Sequence, residues 1–379
     1  RFKKSNKESL QKQINIMRKL IIGIYMLSTL LVSNVLNAQI TKRIDSLAKV
    51  HQARGFNGNV LYSKNDSIIF TGNYGYIDFE SKLPLNDSTV FELASCSKQF
   101  TAVAIMQLVE KKLITYDTKV HEIVTDFPYQ NITIEHLLRH QSGLPDYQKL
   151  FYNKKYWNRK KMATAQDVVD VLNKLKLALS FEPGSFYEYD NTGYVVLGVI
   201  IEKLSQQSYA EYIKEQIFIP VGMQSSRVDS IENDPEQFEN VAIGQTYNEP
   251  KKRHQKARED KNHKHLNWMR SIVGDAGIYA SILDLEKWKH ALRNNTLITE
   301  ESKQIMFSTD DISKKYGYGV AIYNTESKGK WVYHNGSWGG AKTMTLYLPE
   351  TNEFLVILSN NRYEETYKKF EEDLYNLIQ

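Results

Sequence analysis

Val90-Phe-Glu-Leu-Ala-Ser-Cys-Ser-Lys-Gln-Phe-Thr-Ala-Val-Ala-Ile-Met-Gln-Leu-Val-Glu110 decides how the rest of this chain is read. From about Ser97 onward, Phe100, Val103, Ala104, Ile105, Leu108 and Val109 are too apolar for a one-sided surface helix, so the pattern predicts a helix buried nearly all round. Its first turn is then buried as well. Residues three apart on a helix have Cβ atoms roughly 5 to 6 Å apart, so the Lys98 amine can reach the Ser95 hydroxyl. At the helix start, free backbone N–H groups and the helix dipole favour negative charge developing on a bound carbonyl oxygen. The spacing alone is weak, because S-x-x-K recurs at Ser9/Lys12, Ser46/Lys49 and Ser327/Lys330. Taken by itself, the pair reads more readily as an N-cap at Ser95 and a solvated first-turn residue at Lys98.

Working outward, residues 41 to 54 carry Ile44, Leu47, Ala48 and Val50 at helical spacing and stop at Gly55. Asn59 to Tyr62 and Ser67 to Gly72 flank a hairpin turn, and Phe91 to Ala94 leads into the Ser95 helix. Far away, Tyr316 to Tyr323, Trp331 to His334, Thr343 to Leu348 and Glu353 to Ser359 read as an antiparallel meander closed by a helix from about Tyr363. Between them the pattern is helical: Ile134 to His140, Thr164 to Lys176, Tyr194 to Leu204, Tyr209 to Phe218 and Ser281 to Arg293. The expected fold is α+β. One antiparallel sheet is built from both chain ends (about 39–115 and 270–379), a helical part (about 116–269) is inserted, and a site lies in the cleft between them.

The 379 residues have ordinary globular composition. Met17-Arg-Lys19, the apolar Leu20 to Val32 and the polar run to Ala38 read as a secretory signal peptide, behind an upstream extension of residues 1–16. The protein is therefore expected to be exported, periplasmic or extracellular, touching a membrane only if the leader stays uncleaved. Residues 1–38 hold Arg1, Lys3, Lys4, Lys7, Lys12, Arg18 and Lys19 against Glu8, a net of +6, so of the chain's +5 the part beyond Ala38 keeps −1. That gives no footprint for nucleic acid. The single cysteine, Cys96, excludes an internal disulfide and a cysteine-based zinc site. The basic run Lys251 to His265 reads as a solvated surface loop, with attraction of an anionic substrate, or a loose metal set of His254, His263 and His265, as the alternatives.

A serine nucleophile needs proton carriers and oxyanion donors. Two stretches can supply them. In Phe181-Glu-Pro-Gly-Ser-Phe-Tyr-Glu-Tyr-Asp-Asn-Thr-Gly-Tyr194 a Pro-Gly turn precedes Tyr189-Asp-Asn191 on a loop ahead of a helix. Y-x-N recurs at Tyr129/Asn131, Tyr156/Asn158 and Tyr333/Asn335, whereas His334-Asn-Gly336, followed by Ser337-Trp-Gly-Gly340, is the one H-x-G in the sequence. Glycines after a strand let backbone approach a ligand closely, and a histidine there can donate to a carboxylate or carbonyl.

Ser95-x-x-Lys98, Tyr189-x-Asn191 and His334-x-Gly336, in that order, resemble the penicillin-recognising serine hydrolases. The likeness is to the branch of class C β-lactamases, streptomycete-type D-Ala-D-Ala carboxypeptidases, D-aminopeptidases and family VIII esterases. Leu137 to Tyr147, Tyr194 to Gly198 and Gly274 to Ser281 with Asp284-Leu285 resemble its mainly structural signatures, and the resemblance runs from about Thr41 to the C-terminus. It implies a β-lactamase/transpeptidase-like fold and an acyl-enzyme on Ser95. Lys98 and Tyr189 would share the proton work as a coupled pair, and Asn191 would position Lys98 and the substrate amide. The N–H groups of Ser95 and Ser337 would form the oxyanion hole, with His334 and Gly336 on the substrate, and no metal or organic cofactor is implied. The implied substrates are D-amino-acid cell-wall peptides first, then small esters and β-lactams, and a penicillin-binding sensor that does not turn over is the alternative of another kind. Where β-lactamases of this branch usually carry lysine, this chain has His334. With an ordinary pKa near 6.5, it predicts a KM for carboxylate substrates that rises from pH 6 to 8.

Overall fold

The computed structural model describes residues 36 to 362 and 364 to 378, with residues 15, 17 to 21 and 25. The extension 1–16, apart from residue 15, and residues 22 to 24 and 26 to 35 of the leader Met17 to Ala38 therefore lie outside the described residues. Among the described residues no helix is long and apolar enough to cross a membrane.

In chain order the strands are β1 (Gly58–Lys64), β2 (Ser67–Tyr74), β3 (Phe91–Glu92), β4 (Arg227–Val228), β5 (Gln245–Asn248), β6 (Arg253–Lys256), β7 (Ile278–Ala280), β8 (Ala321–Thr325), β9 (Gly329–Trp338), β10 (Ala341–Leu348) and β11 (Glu353–Ser359). The helices that frame the sheet and site are α1 (36–52), α2 (Lys98–Glu110), α3 (Asn191–Ser205), α4 (Ile282–Arg293) and α5 (Glu364–Ile378). Six strands form one antiparallel sheet in the order β2-β1-β11-β10-β9-β8, so that both chain ends meet at its centre. Successive side chains of a strand point to opposite faces. Val60 and Tyr62 of β1, with Leu355 and Ile357 of β11, accordingly pack on one side with Ile44 of α1 and Phe370 of α5. Leu61, Val356 and Leu358 pack on the other with Phe100 of α2 and Trp288 of α4. Being covered on both faces is why β11 reads as an unbroken apolar run. A second sheet, β3-β7-β4, carries the chain into the Ser95 turn.

Three sequence expectations shift. The strand expected over Tyr316 to Tyr323 occupies only Ala321–Thr325, because Gly317 and Gly319 (φ 72°) turn residues 316 to 320 inward against α2. The helix expected from Tyr194 begins at Asn191, because the Asp190 side chain caps it by accepting from the Thr192 and Gly193 N–H groups at 2.7 and 3.0 Å. The helix expected over Tyr209 to Phe218 is α-helical only to Ile213, then widens into a π turn. The basic run Lys251 to His265 is also no free loop. Arg253–Lys256 pairs with β5, Arg258 is ion-paired to Asp234 and Glu236, and His265 is buried against Trp338. The partner carboxylates lie some twenty residues upstream, where counting charge in a local window does not find them.

Candidate active site

Ser95 lies on a turn under tension. β3 ends at Glu92, Ala94 takes a left-handed φ of 47°, Ala94–Ser97 form one 3-10 turn, and α2 follows with every residue from Lys98 to Leu108 buried. A left-handed non-glycine residue costs about 1 to 2 kcal/mol, so the surroundings must hold it. Strands β9 and β10 do so. Thr343 Oγ1 donates to the Leu93 carbonyl at 2.7 Å, and the Cys96 thiol donates to the His334 carbonyl at 3.2 Å. A Cβ on Gly336 would stand 2.4 Å from both the Leu93 oxygen and Thr343 Oγ1, so only glycine lets β9 lie this close to the nucleophile turn. The next residue, Ser337, lines the same pocket as Ser95, together with Glu92, Asn191, Asp275 and Trp338. Cys96 takes no part in chemistry, because burial pushes its thiol up to about 12.

Lys98 is fully buried, and its amine has three neighbours: Ser95 Oγ at 3.2 Å, Asn191 Oδ1 at 2.8 Å and the Asp275 carbonyl at 2.9 Å. Two of these, an amide oxygen and a peptide oxygen, can only accept. When the amine is neutral its two hydrogens therefore satisfy Asn191 and Asp275, and the lone pair is left facing the Ser95 hydroxyl. The backbone reaches this arrangement because Gly319 packs flat against α2, where a Cβ would stand 2.6 Å from the Lys98 carbonyl.

Tyr189 stands over this amine, its ring centroid 5.1 Å from Lys98 Nζ, on a half-open face with 41% of its surface exposed. Its ring packs against His140 (centroids 4.3 Å), Tyr316 (6.1 Å) and His334 (6.2 Å). Among the described residues its hydroxyl makes no hydrogen bond to Ser95 or Lys98.

His334 departs from the sequence expectation. Its ring is 4% exposed, its Nδ1 donates to the Asn335 carbonyl at 2.6 Å, and its Nε2 accepts from the Tyr316 hydroxyl at 2.9 Å. Burial first, and the Lys98 charge second, lower its pKa to about 3. His334 is thus neutral across pH 6 to 8, and the pH-dependent anchoring expected from an ordinary histidine does not hold. We expect the KM of a carboxylate-bearing substrate to follow the same pH profile in wild type and His334→Gln between pH 6 and 8. A rise toward pH 8 present in wild type and absent in the variant would restore histidine titration as the anchor.

Of the sequence-predicted residues, Ser95, Asn191 and Ser337 line one pocket, Lys98 contacts Ser95, Tyr189 lies over the Lys98 amine, Gly336 packs on the Ser95 turn, and His334 is buried beside Tyr316. Sequence reading missed the Asp275 carbonyl, Asp190, Tyr316 and His140. Asp275 and His140 sit inside the Gly274 to Ser281 and Leu137 to Tyr147 stretches, whose pattern reads as mainly structural. Asp190 stands between the two residues of the Y-x-N, and Tyr316 lies where a strand was expected, so only the turn made by Gly317 and Gly319 brings it inward. Among the described residues no three His, Cys, Asp or Glu side chains are grouped as metal ligands. His254 instead stacks on Phe79 with ring centroids 4.3 Å apart.

Comparison with known proteins points one way. Residues 41–379 match the family model described as Beta-lactamase. Penicillin-binding protein 4* of Bacillus subtilis (strain 168) is 37% identical over 329 residues, covering 86% of this chain and 72% of the relative. The octameric penicillin-binding protein homologue from Pyrococcus abyssi superposes with a TM-score of 0.75 at 28% identity, over 89% of this chain and 77% of that one. The D-amino acid amidase from Ochrobactrum anthropi SV3 shares the fold, with a TM-score of 0.70 at 22% identity over 89% and 99% of the two chains.

Proposed function

Because the chain belongs to the β-lactamase family and is a serine hydrolase, we propose that it is exported, forms an acyl-enzyme on Ser95, and acts on D-amino-acid cell-wall peptides or related amides. The observation that carries this reading is the Lys98 amine, held between two obligate acceptors with the Ser95 hydroxyl as its third contact, so that the nitrogen's neutral form would turn its lone pair to Ser95. On this reading the amine takes the Ser95 proton as Oγ attacks the scissile carbonyl. Tyr189, beside the amine and open to the cleft, carries the proton on to the leaving nitrogen. Oxyanion charge develops against the N–H groups of Ser95 and Ser337, which the Gly336 contact holds together. Asn191, at the start of α3, keeps the Lys98 amine in place and presents its amide to the substrate. The substrate preference is supported by a penicillin-binding relative and by a D-amino acid amidase of the same fold.

The test is incubation with a fluorescent penicillin, following both the appearance and the loss of label, beside release of D-alanine from a D-alanyl-D-alanine peptide. We expect label at Ser95 that decays, and D-alanine release. Stable label without release would replace the hydrolase by a sensor. Fast ester cleavage without D-alanine release would move the substrate class to small esters, and penicillin turnover as in dedicated β-lactamases would move it to β-lactams.

A further inference from the structure

His140 occupies a position that packing alone does not explain. It is 1% exposed and, at φ 57°, left-handed. Its carbonyl accepts the Glu188 N–H and its Nδ1 accepts the Asp190 N–H, each at 3.0 Å, so this one residue grips the backbone on both sides of Tyr189. The loop is zipped to the same segment further on, by Gly184 N–H to the Gln141 carbonyl at 2.9 Å and Ser180 N–H to the Gly143 carbonyl at 2.8 Å. A peptide N–H can only donate, so Nδ1 is the bare nitrogen and Nε2 carries the hydrogen. That Nε2 has no hydrogen-bond partner among the described residues. It is closed in by the rings of Tyr189, Tyr316, Tyr194 and Tyr187, at centroid distances of 4.3, 4.5, 5.1 and 6.1 Å from the imidazole. A buried donor without a partner and a left-handed non-glycine backbone are both unfavourable, yet both are retained at one residue. Their common product is the placement of Tyr189, whose hydroxyl is not tied to Ser95 or Lys98 and whose nearest ring neighbour is this imidazole.

We infer that His140 is a positioning residue: by clamping Glu188 and Asp190 and backing the phenol ring, it fixes Tyr189 over the Lys98 amine. The inference rests on the proposed proton-carrying role of Tyr189. Burial first, and the neighbouring Lys98 amine second, hold the His140 imidazole well below its ordinary range.

The experiment measures the maximal acylation rate and half-saturating concentration with the fluorescent penicillin, for the full chain and five variants. His140→Leu removes the Nδ1 acceptor while keeping bulk. His140→Asn places an amide oxygen where Nδ1 was and tolerates the left-handed backbone. We expect His140→Leu to lower the maximal rate about 10- to 100-fold, with the half-saturating concentration within about threefold of wild type, as for a misplaced catalytic group. His140→Asn should recover most of that loss. In His140→Leu/Tyr189→Phe the rate should equal that of Tyr189→Phe alone within about twofold, because the histidine then has nothing to position. Should the leucine variant not fold, His140→Gly, which relieves the backbone and deletes the ring, carries the same expectation. The same loss in the Tyr189→Phe background, or a wild-type rate in both His140→Leu and His140→Gly, would overturn the inference and leave the role of Tyr189 standing. A wild-type rate in Tyr189→Phe would overturn both.

Discussion

Ser95→Ala is expected to abolish acylation, by at least ~10⁴-fold, while the protein stays folded. The hydroxyl is the one atom removed, from a half-buried residue whose neighbours Ala94, Cys96 and Ser97 are buried and supply the packing of the turn. The Lys98 amine loses one of three partners and keeps Asn191 Oδ1 and the Asp275 carbonyl, so the loss is that of one hydrogen bond, about 0.5 to 1.5 kcal/mol. For a chain of this size that lowers Tm by only a few degrees, about 2 to 4 °C per kcal/mol at most. Intact-protein mass after incubation with penicillin, beside a thermal melt, checks both halves. An adduct of normal mass on the alanine variant would remove Ser95 from the chemistry.

Lys98→Ala and Tyr189→Phe should each slow acylation by a large factor, yet separate in stability. The lysine variant deprives the half-buried Asn191 Oδ1 of its partner, leaves the buried Asp275 carbonyl without this one at about 1 to 3 kcal/mol, and empties a fully buried site. Tyr189 is 41% exposed and its hydroxyl gives no hydrogen bond to Ser95 or Lys98, so phenylalanine should melt close to wild type. In rate, the two changes together should cost far less than the product of their separate effects, since the amine and the phenol act as one proton-transfer unit. Stopped-flow acylation of the two singles and the double variant decides it. Full multiplicativity would mean independent roles.

The chemistry-bearing residues were legible in the sequence because three short motifs carry their own spacing, and because the apolar run after Ser97 implied a buried first turn. The two-faced burial of β1 and β11 was legible for a related reason, since near-continuous apolar strands of ordinary length belong at the centre of a covered sheet. Other features were not legible. Asp-Asn-Thr-Gly after Tyr189 reads as a turn, yet Asp190 makes it a helix start. The state of His334 depends on Tyr316, eighteen residues earlier, which reaches it only because Gly317 and Gly319 bend the chain inward. Likewise the Asp275 carbonyl is a backbone group, and no residue-type pattern marks where one will point.

The adjacency of β1 and β11 has a kinetic consequence. Gly58 sits opposite Ser359, and Asn57 hydrogen-bonds Asn360, 303 residues away in sequence, in the middle of the main sheet. The central strand pair cannot close until β11 has been made, and the strands that press the Ser95 turn into shape, β9 and β10, are made long after the turn itself. Such long-range pairing makes for slow folding, because the loop-closure entropy is spent before the contacts repay it. A chain stalled before β9 would hold the serine and the lysine but lack the wall that shapes them. Hydrolytic competence therefore arrives only once β9 and β10 have been made and set against the Ser95 turn, and the nascent chain is unarmed until then.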